Sequence, residues 1–104
     1  MAEKSSQTTG NSCKLSFLRA NAIFIRASTY CPKDYLDDNA GYYALAQSKL
    51  YAASLSEKEL MTLARRAMQE LDRVVKERGK RSACRWVDQI EREVSDAAKD
   101  TAAR

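Results

Sequence analysis

Lys14-Leu-Ser-Phe-Leu-Arg-Ala-Asn-Ala-Ile-Phe-Ile-Arg-Ala-Ser-Thr29 reads as a helix with two apolar faces, one more than a single core contact needs. At about 100° per residue, Leu15, Leu18, Ala22 and Ile25 form one stripe, while Phe17 and Phe24 lie nearly opposite. One stripe faces the chain's own core. The other needs a second helix, a second subunit or another protein, because large aromatic side chains left in water forgo roughly 2 kcal/mol each. Whether Phe17 and Phe24 are covered by this chain or by another decides between a compact monomer and an interaction module, and the sequence leaves both open.

The rest of the chain is helical in character. Only three Gly and one Pro occur in 104 residues and Ala is abundant, which favours helix over sheet. A chain this short buries a thin core, so association with a second copy would help it. Residues 1–12 are polar and without apolar period, and read as a flexible tail before a single helical domain over 13–104. Asn11 or Ser12 caps the first helix, and Pro32 stops it.

A second helix follows Asp37 or Asp38 as cap and runs to about Ala53, with Tyr43, Ala46, Leu50 and Ala53 on its expected core face and Gly41 a weak spot. The sharpest local signal is Ser56-Glu-Lys-Glu59, a capping box flanked by Leu55 and Leu60 as a hydrophobic staple. The helix it opens carries Leu60, Leu63, Ala64, Ala67, Leu71 and Val74, with Met61, Met68 and Val75 as a second stripe, and ends at Gly79. Ser82 caps a fourth helix with the stripe Ala83, Val87, Ile90, Val94 and Ala97, and Trp86 is expected to bury against the third. The expected class is all-α: a small four-helix bundle, homodimeric, with the third and fourth helices as an antiparallel hairpin.

The net charge of +4 is zoned: +4 over residues 1–33, −3 over 34–72, +5 over 73–85 and −2 over 86–104. Arg78, Lys80, Arg81 and Arg85, with Arg73 and Lys76, are candidates for an acidic protein surface or for nucleic acid, or are a solvated helix end. A helix-turn-helix reading meets an obstacle, since Asp88, Glu91 and Glu93 put carboxylates among Arg85, Gln89 and Arg92, where phosphate is repelled.

Cys13, Cys31 and Cys84 are odd in number and without a short repeated spacing, and neither a secretory signal nor a membrane-length apolar run is present. Three unpaired, mostly buried thiols in a reduced cytoplasmic protein is the expectation. The absence of histidine removes the commonest general base and any Ser-His or Cys-His pair. Asp37/Asp38 and Glu91/Glu93 are neighbours in sequence rather than facing pairs, so no metal site, cofactor site or enzyme is expected.

Five tyrosines fall between Tyr30 and Tyr51, and tyrosine offers contact area at little entropic cost. The functional expectation is therefore a non-enzymatic regulator that binds another protein through Phe17, Phe24, Tyr35, Tyr42 and Tyr43 and inhibits or modulates it. Its size and its lack of catalytic equipment are shared with small bacterial or phage inhibitors and anti-activators of transcription factors, an analogy of class with no motif behind it. The alternative is a nucleic-acid-binding regulator using 73–85. Membrane binding is not expected.

Overall fold

The computed structural model describes residues 17–102, and the described residues contain helices without strands. The expected tail, the caps at Asn11 or Ser12, and Cys13 and Leu15 lie outside them. Among the described residues there are three helices in place of four: α1 over 17–27, α2 over Asn39–Ala52 and α3 over Glu57–Ala102. The expected third and fourth helices are two arms of α3, joined through Gly79.

The capping box forms as the sequence requires. Ser56 N–H donates to Glu59 Oε1 at 2.9 Å, and Glu59 N–H donates to Ser56 Oγ at 3.1 Å. At 1.5 Å per residue an unbroken 46-residue helix would reach about 69 Å, yet the molecule's longest extent is 35 Å. The helix must double back, and it does so at Gly79, whose φ of 86° and ψ of 163° lie where side-chain-bearing residues are strained. The arms then bury Ala67 and Leu71 from one side and Ala83, Val87, Ile90 and Val94 from the other, four of the five residues of the expected second-arm stripe, with Ala97 half-buried.

α1 settles its two-faced sequence by being covered on both sides. Phe24 is fully buried, its ring stacked on Tyr35 at 5.7 Å, and Phe17 meets the Tyr43 edge at 5.3 Å. Arg19 and Arg26 reach the other way, to Glu70 and Asp72 on α3. Leu18 and Ala22 are also buried, whereas Ile25, expected in the same stripe, is 42% exposed. The helix ends at residue 27, four residues before Cys31, where the Ser28 hydroxyl donates to Ile25 O and Cys31 N–H to Ala27 O. Trp86 is partly buried, and its ring receives the Arg19 guanidinium at 5.5 Å from α1.

α2 turns a different face inward from the one its large side chains suggested. Asp38 is its N-cap, accepting from Gly41 N–H at 2.8 Å. Ala40, Gly41, Ala44 and Ser48 are buried, while Ala46, Leu50 and Ala53 face solvent. The small face wins because the chain before α2 lies directly on it: a Cβ at Gly41 would sit 2.2 Å from Tyr35 O.

Cys31 and Cys84 are joined in a disulfide that ties the 28–38 connection to the second arm of α3. The expectation of unpaired thiols fails for both residues. Disulfides persist in oxidising surroundings, so the inference from free thiols to the cytoplasm loses its premise. Among the described residues no helix is long and apolar enough to cross a membrane.

Candidate partner-binding groove

Where α1 begins, α2 ends and α3 begins, three surface cavities share lining residues. One of about 240 Å³ lies among Leu18, Leu63, Ala67 and Arg66; one of about 390 Å³ adds Tyr51, Leu55, Lys58 and Thr62. A third, of about 240 Å³, continues from Tyr51 to Leu50 and Phe17. Leu63, Arg66 and Tyr51 are the shared walls, so the three make one groove. Leu50 is 70% exposed at its edge, an aliphatic side chain left uncovered among the described residues.

The rim is electrostatically one-sided. Glu70 is taken by Arg19 in a two-point ion pair, Nε to Oε1 at 2.8 Å and Nη2 to Oε2 at 2.9 Å, which holds its carboxyl below the usual range. Glu59 is taken by the capping box, whose Ser56 N–H likewise lowers it. Lys58 and Arg66 are exposed and have no carboxylate partner among the described residues. The groove therefore offers apolar walls and cationic edges.

Of the five aromatic residues expected to bind a partner, the fold brings one to this groove. Phe17 lines its end, supported by Tyr43 from below. Phe24 and Tyr35 are core, the first of the two readings left open by the sequence, and so are not on the surface of this chain; Tyr42 is 57% exposed on α2 with its hydroxyl donating to Asp37 Oδ1 at 2.8 Å. Arg78, Lys80, Arg81 and Arg85 are exposed together around the Gly79 corner, away from the groove. Tyr51 belongs to the tyrosine-rich segment that the sequence offers as a contact surface, whereas nothing in the sequence marks Leu50, Leu55 and Leu63 as a binding surface. The sequence signal for Leu50 was the apolar period of α2, which places it inward.

Between the 28–38 connection and the second arm, carboxylates and their partners are packed closely. Tyr35 OH donates to Asp88 Oδ1 at 2.5 Å, and burial, then this bond, pushes the phenol up. Lys33 Nζ donates to Glu91 Oε1 and stands 3.9 Å from Asp38 Oδ2, so Asp38 and Glu91, distant in sequence, do face each other. Burial and the adjacent Asp38 raise Glu91; Asp38 is brought low, against its own burial, by hydrogen bonds from Glu91 and from the Gly41 amide. Glu91 Oε2 is buried with no hydrogen-bond partner among the described residues, so the charged form is penalised on that side of the carboxyl.

The sign follows. Stability contributed by Glu91 is present in acid and lost as pH rises through its elevated folded pKa, whereas Asp38, Glu70 and Asp72 stabilise above the usual carboxylate range and lose that as pH falls. Glu91→Gln, which carries a permanent donor, is expected to melt at or above the wild-type temperature at pH 7, with the advantage shrinking toward pH 4. A variant less stable at pH 7 than at pH 4 relative to wild type would show that Glu91 works as an ionised partner of Lys33.

Among the described residues no group of three or more Cys, Asp or Glu is placed to hold a metal ion. No family model, no curated protein and no solved structure matches this chain.

Proposed function

We propose that this chain is a non-catalytic helical module that binds another protein by taking an amphipathic, acidic helix of that protein into the Phe17/Leu50/Tyr51/Leu63 groove, and that it modulates the protein so bound. The observation that carries this reading is the exposure of Leu50 beside apolar walls whose uncommitted charges, among the described residues, are cations. Helices bind such grooves by apolar anchors at i, i+3, i+4 and i+7, and Lys58 and Arg66 select carboxylates on the flank of the incoming helix. The lack of histidine, hence of the usual acid–base and nucleophile pairs, supports binding over catalysis.

The test is capture of the partner by cross-linking, followed by titration of the purified partner with wild type, Leu50→Glu and Arg66→Glu. Both positions are exposed, so the fold tolerates the changes. Each variant is expected to bind at least tenfold more weakly, because each places a carboxylate where the incoming acidic helix would pack, a change worth about 1.4 kcal/mol or more. Equal affinity of all three overturns the groove assignment. Light scattering supplies the second arm: a mass of two chains that Leu50→Glu halves would give the groove to a second copy and not to a foreign protein.

A further inference from the structure

The fold neutralises its cations unevenly. Arg19, Arg26 and Lys33 each meet a carboxylate of α3. Around the Gly79 corner Lys76, Arg78, Lys80, Arg81 and Arg85 are all exposed, and among the described residues none forms an ion pair; Arg85 has one long hydrogen bond, to Ser82 Oγ at 3.4 Å. Glu77 is the one carboxylate between residues 76 and 85. Lys80 and Arg81 moreover occupy the first turn after Gly79, where the amides of the second arm already present positive charge and anions are favoured. The last turn of the first arm favours Lys76 and Arg78, but Lys80, Arg81 and Arg85 gain nothing from the helix ends, and an anion would relieve this concentration of like charge.

The carboxylates that obstruct a phosphate-binding reading of the sequence are occupied elsewhere. Asp88 accepts from Tyr35 and Glu91 from Lys33, both on the side of the 28–38 connection. Glu93 lies 14 residues from Gly79, about 21 Å along the arm. Residues 76–82, Lys-Glu-Arg-Gly-Lys-Arg-Ser, include no apolar side chain, so the corner lacks the desolvated anchor on which a protein interface depends. Its cations span about 9 Å from Gly79 to Arg85, and about 9 Å of duplex axis carries roughly five phosphate charges.

The geometry points to the Gly79 corner as a docking surface for the phosphate backbone of nucleic acid, sequence-independent and separate from the groove. Leu63 is 16 residues, about 24 Å of helix, from Gly79, so the two surfaces are tested independently.

The experiment is fluorescence anisotropy of a labelled 20-base-pair DNA duplex titrated with the full chain between 25 and 200 mM salt. Binding is expected with a log K against log salt slope of about −3.5, from about four net contacts, weakened at least tenfold at low salt by Arg78→Ala/Lys80→Ala/Arg81→Ala and unchanged by Leu50→Glu. The triple variant's melting temperature checks that it is folded. A slope shallower than about −1, undiminished binding by the folded triple variant, loss of binding in Leu50→Glu, or tighter association with phosphatidylserine vesicles than with the duplex each overturns the assignment.

Discussion

Removing the Cys31–Cys84 bond, by reduction or as Cys31→Ala/Cys84→Ala, is expected to lower the free energy of unfolding by about 4 kcal/mol, and with it the melting temperature by roughly 20 °C. The two cysteines are 53 residues apart, and a loop of that length loses close to this much conformational freedom when closed in the unfolded chain. For a chain of 104 residues the amount is a large part of total stability. Chemical denaturation with and without a dithiol reductant, in a Cys13→Ser background that prevents exchange with the third thiol, measures it. A loss under about 1 kcal/mol would mean that the Tyr35–Asp88 and Lys33–Glu91 contacts hold the 28–38 connection on α3 unaided.

The parts of this fold that depend on local spacing were legible. The Ser56/Glu59 box and the Ala83, Val87, Ile90, Val94 stripe follow from hydrogen-bond reach along one turn and from the 3.6-residue period, and both are present. Parts set by contact between distant segments were not. In α1 the sequence offered two faces, and Tyr35, arriving from the following loop to stack on Phe24, fills one of them. In α2 the period of large side chains pointed to Tyr43, Ala46, Leu50 and Ala53, but hydropathy does not register how closely a backbone approaches, and the small face of Ala40, Gly41 and Ala44 lies inward. The disulfide needed the knowledge that the end of the first connection meets the second arm of α3. The groove draws on three elements, so no single window of sequence contains it, and Met61, 54% exposed, shows that apolar period alone did not separate surface from core.

Gly41→Ala is expected to destabilise the protein by about 3 kcal/mol, although in an isolated helix the same change would stabilise by about 1 kcal/mol. The reversal comes from what the new methyl would meet: Tyr35 O at 2.2 Å, Leu36 Cα at 2.9 Å and Leu36 C at 3.0 Å. All three are backbone atoms, so no side-chain rotation clears the space. Tyr35 cannot withdraw easily either, since its ring is stacked on Phe24 and its hydroxyl is bonded to Asp88, and Cys31 four residues earlier is tethered to Cys84. Relief must therefore come from α2 moving outward, which uncovers Ala40 and Ala44 and lengthens the Asp38 cap to the residue 41 amide. A melting temperature lower by about 15 °C is the expected result. A variant as stable as wild type would show that the α2 contact yields without cost. Because α2 carries Leu50 and Tyr51 into the groove, the same displacement is expected to weaken the proposed partner binding in a protein that is still folded, a coupling that Leu50→Glu, which leaves the backbone in place, would not produce.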